Sequence, residues 1–362
     1  MKKIISIALA LLMVAVMLPV MAMAEGTTLQ SRIDAGETTI TLTENVTESI
    51  TIPKDKTVTL NLNGNTLTNE ANKDTITVAL GGTLTIEGAG TVDNISHGRA
   101  AVYNNGTVTI NGGTYTRSEE KGTGNPNSDN GNSWYTICNH GVMTVNAGAT
   151  VKNKGTFSSV FENGYYSYTK NAEREGYVEG TNNAAPALTI NGGTFEGGKI
   201  TIKNDDGGIL KIGGGRFTNN GNRVVFNANK AEINGGEFYC PATYFGNEIA
   251  VDTLYADGGQ NAGQLTITGG TFDGKVTQSN GAVTTVSGGT FKKGVDKSYI
   301  VDGKKLDANG NVVPESITII VPSDGGNTTT TPSTDNTKNP GTGANDFVGA
   351  VSYTHLTLPT IA

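Results

Sequence analysis

Residues 188–195 read L-T-I-N-G-G-T-F, and variants of this octapeptide recur along most of the chain. Each variant has an aliphatic residue before a glycine-containing turn and an aromatic or aliphatic residue after it. Successive turns are 19 to 24 residues apart in five intervals and 34 to 45 residues apart in three, which predicts one coil plus an insertion in the long intervals. The other variants are L-N-G-N-T-L (62–67), I-E-G-A-G-T-V (86–92), I-N-G-G-T-Y (110–115), V-N-A-G-A-T-V (145–151), I-G-G-G-R-F (212–217), I-N-G-G-E-F (233–238), I-T-G-G-T-F (267–272) and V-S-G-G-T-F (286–291).

The residues before each turn alternate between polar and aliphatic side chains, as in the segment 107–110, T-V-T-I. Alternation is typical of a strand with one buried face, and the glycines permit turn conformations that other residues rarely adopt. One unit cannot bury its apolar face alone, whereas a stack of units can. The repeat therefore predicts an all-β fold, a right-handed single-stranded parallel β-helix of about nine to ten coils. Leucine is too sparse for a leucine-rich repeat, and the periods of propellers and β-sandwiches are missing.

Stacking in this register would align equivalent residues of successive coils. We expect one interior column of isoleucines, a second of aromatic residues, and a column of asparagines that hydrogen-bond from coil to coil. The columns are Ile110, Ile190, Ile212, Ile233 and Ile267; Tyr115, Phe195, Phe217, Phe238, Phe272 and Phe291; and Asn111, Asn146, Asn191 and Asn234. These columns predict structural roles.

The two ends of the stack need covers. The segment 29–33, L-Q-S-R-I, predicts a short amphipathic cap helix, and 299–313 predicts strands joined by Asp-Gly and Asn-Gly turns. We therefore place the β-helix with its caps at 25–322.

The G-G-T-F coils and the segment L-Q-S-R-I-D-A-G-E-T-T-I-T-L resemble the pectate-lyase-like β-helix superfamily, especially its repeats in surface proteins of gut Firmicutes. The resemblance covers roughly residues 28–295. It implies the fold but no single activity, because the superfamily contains lyases, hydrolases and adhesins.

Residues 1–24 have the features of a signal peptide: two lysines, an apolar run from Ile4, and A-M-A before Glu25. Export predicts a mature chain that starts at Glu25. The mature chain has 24 basic and 33 acidic residues, a net charge of −9, and no basic stripe. A nucleic acid partner is therefore not expected, and we expect a monomer.

The C-terminal region predicts attachment to a Gram-positive cell wall. Residues 323–338 form a Ser/Thr/Asn/Gly-rich segment suited to a disordered wall linker. The following pentapeptide resembles the P-x-T-G core of sortase signals, with Asn339 where Leu is commoner; the matching residues are Asn339, Pro340, Thr342 and Gly343. The resemblance implies a truncated sorting signal at 339–350 and a link from Thr342 to peptidoglycan. Residues 351–362 resemble one reading frame of a sequencing-library adaptor, which predicts an artefact.

Cys138 and Cys240 lie about three coils apart in the repeat. At about 4.8 Å per coil their separation is about 14 Å, beyond the reach of a disulfide. We expect both to remain thiols.

No catalytic residue is predicted. Asp205-Asp206 follows N-H-G (139–141), the reverse of the order in polygalacturonase-type hydrolases, and no Ca²⁺-binding set of the lyase type can be assembled. The cluster Asp93, His97 and Arg99 predicts a surface turn, and Asp307-Asn309-Asn311 predicts a hairpin. Because His140 is the only other histidine before the artefact, no His-rich metal site is expected, and no cofactor is predicted.

The insertions follow Tyr115, Val151 and Phe238, which predicts that they emerge on one side of the solenoid. They are rich in aromatic residues with polar neighbours, a composition that suits sugar stacking or protein contact. The candidate ligand-binding residues are Trp134, Tyr135, Tyr165, Tyr166, Tyr168, Tyr244 and Tyr255. We therefore expect a non-catalytic surface adhesin that binds a glycan or a surface protein.

Two alternatives remain open. One is a polysaccharide lyase or hydrolase acting on acidic plant or host glycans, the lyase with Ca²⁺, in which carboxylates would converge beneath the insertions. The other is a structural spacer, in which the loop aromatics would be buried.

Overall fold

A computed structural model describes residues 27–118, 134–153, 159–165, 176–241, 246–254, 262–279 and 281–315. The predicted signal peptide, wall linker, sorting signal and adaptor-like segment lie outside these residues. The described chain folds as a right-handed parallel β-helix, as predicted, with one strand from each coil in each of three parallel sheets. The sheets contain ten, ten and nine of the described strands, which confirms the expected number of coils.

Sheet 1 holds the strands that precede the glycine turns. They are Thr39–Thr41, Thr57–Asn61, Thr83–Glu87, Thr107–Ile110, Val142–Val145, Ala187–Ile190, Ile209–Ile212, Lys230–Ile233, Gln264–Ile267 and Val283–Val286.

Sheet 2 holds the strands that follow these turns. They are Val46–Thr47, Thr66–Thr68, Thr91–Asp93, Gly113–Thr116, Ala149–Asn153, Thr194–Gly197, Arg216–Thr218, Glu237–Tyr239, Thr271–Asp273 and Thr290–Phe291.

Sheet 3 closes each coil. Its strands are Ile50–Ile52, Ile76–Val78, Val102–Asn104, Ile137–Asn139, Phe161–Asn163, Ile200–Asn204, Arg223–Asn227, Ile249–Thr253 and Lys275–Gln278.

The glycine turns let neighbouring coils approach closely. Gly193 has φ +103°, in the left-handed region. A Cβ on Gly235 would lie 2.4 Å from the carbonyl oxygen of Gly213 in the preceding coil. The pair of glycines therefore serves both the turn and the contact between coils.

Both predicted apolar columns are confirmed. Ile110, Val145 and Ile190 lie in direct register, and Ile212, Ile233 and Ile267 continue the column. The rings of Phe195, Phe217, Phe238, Phe272 and Phe291 stack at 4.8 Å between centroids. This spacing matches the separation of parallel strands. Val151 separates Tyr115 from the phenylalanine stack.

The predicted asparagine column is confirmed for three residues. Asn146 donates to Asn111 at 2.7 Å, and Asn191 donates to Asn146 at 2.9 Å. Gly213 occupies the next position and interrupts the ladder before Asn234, which instead accepts from Thr268.

A second asparagine ladder, which we did not predict, lies inside the solenoid at the end of sheet 3. The side-chain amides of the first four members each donate to the next member at 2.7–2.8 Å, and all five are fully buried. They are Asn104, Asn139, Asn163, Asn204 and Asn227. Buried amides need partners, and the ladder supplies them from coil to coil.

Both predicted caps are present. The α-helix Leu29–Asp34 buries Leu29 and Ile33 and covers the first coil. Two strands, Lys304–Leu306 and Val312–Pro314, form an antiparallel pair at the other end, preceded by a 3₁₀ helix, Lys297–Tyr299. The Asp307 carboxylate accepts backbone N–H groups in the turn between the strands, which confirms the hairpin.

Candidate functional site

The insertions flank sheet 3, but not all at the same phase. Two sheet 3 strands, Phe161–Asn163 and Ile249–Thr253, lie within the segments that the sequence assigned to single insertions. Each of these segments is therefore divided into a part before sheet 3 and a part after it. The expectation of one insertion phase was wrong because segments of different length precede and follow the third strand of the coil.

The outer face of sheet 3 carries a row of polar and aromatic side chains in register. Consecutive positions of the row are occupied by Tyr103, Cys138, Glu162, Lys203, Phe226, Asp252 and Thr277. An outward position on a strand is normally solvated. Here Cys138 and Glu162 are buried, so this part of the face is covered.

Cys138, His140 and Glu162 form a compact buried cluster. The Cys138 thiol donates to Oε2 of Glu162, with Sγ and Oε2 2.9 Å apart. Nε2 of His140 lies 3.4 Å from the same sulfur and 3.6 Å from the same carboxylate oxygen. All three side chains are 0–2% exposed. Thiolate, imidazole and carboxylate are ligands that together suit Zn²⁺.

Two tyrosines hold the His140 ring in place. Nδ1 of His140 lies 3.3 Å from the Tyr103 hydroxyl, and the Tyr165 ring packs on the imidazole at 4.7 Å between centroids. Nε2 therefore faces the thiol and the carboxylate. Tyr165 itself is fully buried, and its hydroxyl donates to the carbonyl of Asn183.

A buried ion pair adjoins this cluster. Lys203 pairs with Asp205 and donates to the Tyr135 hydroxyl at 3.2 Å. Burial raises the pKa of Asp205 to about 6, opposed by the positive charge of Lys203. Carboxylates do converge here, but Glu162 and Asp205 are only 1–2% exposed, so a polymeric substrate does not reach them.

The predicted ligand-binding aromatics fall into two groups. Trp134 and Tyr135 are partly buried and contact each other edge to face at 5.5 Å between centroids, and Tyr165 is inside the cluster just described. The remaining four, Tyr166, Tyr168, Tyr244 and Tyr255, lie outside the described residues.

An open groove runs along the turn between sheets 1 and 2 and the adjoining face of sheet 2. Its volume is about 830 Å³, and an adjacent hollow adds about 380 Å³. The groove crosses four consecutive coils, whose outward residues are Arg216, Glu237, Thr271 and Thr290. Glycines form the adjoining turns, so the groove wall is backbone.

Tyr239 stands at the edge of this groove with 43% of its surface exposed. Asp273 lies beside it in register, and Lys292 pairs with Asp273 at 3.1 Å. Arg216 and Glu237 complete a surface with both charge signs around one aromatic ring. Tyr239 belongs to an aromatic-rich segment of the sequence, but only the register shows which residues surround it.

Smaller candidates take structural roles. The Asp93 carboxylate accepts from Thr116 at 2.5 Å and from the backbone of Ser118 at 2.9 Å, whereas His97 is exposed. This agrees with the predicted surface turn. Cys138 and Cys240 form no disulfide, which confirms the prediction for the thiols.

No family model, no curated protein and no solved structure matches this chain. The fold therefore defines it only as a parallel β-helix repeat protein. None of the described helices is long and apolar enough to cross a membrane.

Proposed function

We propose that this protein is an exported, wall-anchored surface β-helix that binds glycans without cleaving them, and that the groove on sheet 2 is the binding site. The observation that carries the proposal is the exposed Tyr239 ring between Arg216, Glu237, Asp273 and Lys292 beside a glycine-walled groove. Sugar rings present apolar C–H faces that pack on an aromatic ring, and their hydroxyls need donors and acceptors close by.

The shape of the groove supports an extended ligand. Its four outward positions recur once per coil, so they extend over about 14 Å along the solenoid axis at about 4.8 Å per strand. Because the turn positions that line the groove are glycines, a polymer chain can lie against the backbone along this direction. A polymer with a regular repeat would then contact equivalent positions on successive coils.

The charged residues of the groove limit the classes of glycan that we expect to bind. Arg216 and Lys292 supply cationic donors, and Glu237 and Asp273 accept hydrogen bonds from hydroxyls. Neutral or weakly acidic glycans fit this mixed surface better than densely sulfated or phosphorylated ones.

The non-catalytic assignment rests on burial. The carboxylates that converge at sheet 3, Glu162 and Asp205, are buried and bonded to Cys138 and Lys203. A lyase or hydrolase must expose its acid and base to the substrate. The burial of Tyr165 also favours a structural role for that face, whereas Tyr239 remains accessible.

Binding and product release should be measured with the purified protein on pectins, mucin glycans and neutral plant polysaccharides, with and without Ca²⁺. We expect binding without cleavage, and a loss of about tenfold in affinity for Tyr239→Ala and for Arg216→Ala. Lys211→Ala, an exposed cation on sheet 1, is the control. Binding that survives both groove substitutions would contradict the site. Released unsaturated or reducing ends would replace the proposal with a lyase or hydrolase.

Export and anchoring are tested separately. Secretion from a Gram-positive host should leave Glu25 as the first residue, which N-terminal sequencing measures. A peptide spanning 335–346 should be cleaved by a sortase between Thr342 and Gly343. Cleavage at another bond, or no cleavage by any sortase of a panel, would contradict the proposed cell-wall anchor.

A further inference from the structure

The Cys138 cluster has the donor set and the spacing of a metal site. In a tetrahedral Zn²⁺ site with bonds of about 2.0–2.3 Å, two nitrogen or oxygen ligands are about 3.3 Å apart, and sulfur is about 3.5 Å from either. Sγ of Cys138 and Nε2 of His140 are 3.4 Å apart, and Nε2 and Oε2 of Glu162 are 3.6 Å apart. Only the separation of sulfur and oxygen, 2.9 Å, must widen, by about 0.6 Å. A small rotation of the Glu162 side chain provides this change.

We propose that Cys138, His140 and Glu162 bind one Zn²⁺ ion, which links two neighbouring coils of sheet 3. Cys138 lies in the strand Ile137–Asn139, His140 directly follows this strand, and Glu162 lies in register with Cys138 on the next strand. Hard cations such as Ca²⁺ and Mg²⁺ prefer oxygen ligands, so the thiol and the imidazole select zinc. Three protein ligands leave a fourth position for water.

The surroundings of the cluster favour bound metal. The Tyr103 hydroxyl lies at Nδ1 of His140, opposite the nitrogen that faces the thiol and the carboxylate. Such partners on the second nitrogen orient histidine ligands in metal sites. The Tyr165 ring restricts rotation of the imidazole from one face. The ligands are therefore arranged before a metal arrives.

The charges around the cluster also favour a bound metal ion. Lys203 forms an ion pair with Asp205 and its charge also interacts with Glu162, so one positive charge serves two buried carboxylates. A Cys138 thiolate and the Glu162 carboxylate together carry two negative charges in a buried place, where uncompensated charge is costly. One Zn²⁺ ion neutralises both. The ion would join the coils at the point where insertions interrupt the sequence between strands.

The same three side chain types also occur in cysteine nucleophile sites, in which histidine acts as the base. Here Cys138 is fully buried, and its sulfur contacts the carboxylate as well as the imidazole. A nucleophile must reach its substrate, whereas a metal ion that links two coils can be fully buried. The geometry therefore favours the metal.

The test uses the whole protein after chelator treatment and dialysis, with Zn²⁺ and Co²⁺ as probes. We expect one ion per chain by elemental mass spectrometry, and a near-ultraviolet thiolate-to-cobalt charge-transfer band with Co²⁺. Cys138→Ser should abolish the band and weaken Zn²⁺ binding by about 100-fold or more. Glu162→Gln, which keeps the side-chain shape, should retain the band and weaken binding by about 10-fold.

Cys240→Ser is the matched control, because Cys240 is the other buried thiol and lies in the apolar core. It should retain the full metal content and the band. Wild-type protein that binds no stoichiometric metal, or a band that follows Cys240, would overturn the proposal. Rapid alkylation of Cys138 in the native protein would overturn it as well, since that would identify an accessible nucleophile. If Cys138→Ser does not fold, the metal content and the cobalt band of the wild type, Glu162→Gln and Cys240→Ser still test the proposal. Glycan binding is unaffected by these results, because the groove shares no residue with the cluster.

Discussion

The two asparagine ladders provide a paired test of what burial adds to the same hydrogen bond. Asn204 accepts from Asn163 at 2.7 Å and donates to Asn227 at 2.8 Å inside the solenoid. Asn146 makes the equivalent two contacts, at 2.7 and 2.9 Å, on the partly exposed turn. Substitution by alanine removes two ladder bonds in each case, and at Asn204 it also removes the bonds donated to the backbone carbonyls of Gly208 at 3.2 Å and Lys230 at 3.0 Å. The former ladder partners of Asn204 are buried, so we expect no water to replace the lost hydrogen bonds. The former partners of Asn146 lie at the surface, where water replaces them.

The expected difference follows from the fate of these partners. A hydrogen bond contributes about 1 kcal/mol net, and a buried group left without its partner costs about 1–3 kcal/mol. Asn227 still accepts a backbone N–H at 3.4 Å, so the penalty should be near the lower end. We therefore expect Asn204→Ala to lower the free energy of unfolding by about 3 kcal/mol. Asn146→Ala should cost less than about 1 kcal/mol, because water replaces the lost partners.

Equilibrium urea unfolding followed by circular dichroism measures both changes, provided that the slopes of the two transitions agree. Equal losses for the two variants would refute the reasoning, since burial would then make no difference. A loss below about 1 kcal/mol for Asn204→Ala would show that water enters the interior ladder.

Three further predictions concern the core, the buried ion pair and the cap. Phe217→Ala should cost about 3–5 kcal/mol by the same unfolding assay, whereas Tyr239→Ala should change stability by less than about 0.5 kcal/mol; similar costs would argue against the stacked column. Because the folded-state pKa of Asp205 is raised from 3.8 to about 6, the folded chain binds more protons between these values. Its stability should therefore fall by about 2 kcal/mol as pH rises from 4 to 6.5, and Asp205→Asn measured with chelator present should lack this fall; an unchanged pH profile would contradict the shift. Glu48 accepts the backbone N–H groups of Leu29 and Gln30 at 2.8 Å, so Glu48→Ala should speed hydrogen exchange in residues 29–34 about tenfold, with no change in sheet 1 beyond the first coils.

The fold was predictable because one motif marks the same point of every coil. An aliphatic residue, a glycine turn and an aromatic residue fix the register of sheets 1 and 2, so the isoleucine and phenylalanine columns follow directly. The caps were predictable for a similar reason: their helix and hairpin signals are local.

Sheet 3 was not predictable in the same way. Its strands are separated from the glycine turns by segments of different length, so Cys138 and Glu162 are 24 residues apart and still in register. Their meeting depends on where the insertions begin and end. One signal was available: the residues immediately before the interior asparagines form the outer row of sheet 3. Aligning the chain on Asn139 and Asn163 would have placed Cys138 beside Glu162.

The glycine-walled groove was missed for a different reason. The glycines predict turns, and a single turn indicates only a connection between two strands. When side chains are absent at the same point of several stacked coils, the missing atoms form a continuous depression. The cavity therefore depends on repetition and cannot be recognised from a single unit.

The uninterrupted coils also bear on how a protein of this kind changes length over generations. Phe195, Phe217 and Phe238 follow one another at 22 and 21 residues, and each coil contacts only its neighbours. Recombination that excised residues 218–238 would bring Phe272 onto Phe217 with every strand still in register, and the rod would shorten by about 4.8 Å. Coils that share Cys138 and Glu162 have no such freedom, since the loss of either coil would divide the cluster. Unequal crossing-over should therefore change the number of uninterrupted coils, whereas the two coils that contain Cys138 and Glu162 should be gained or lost together.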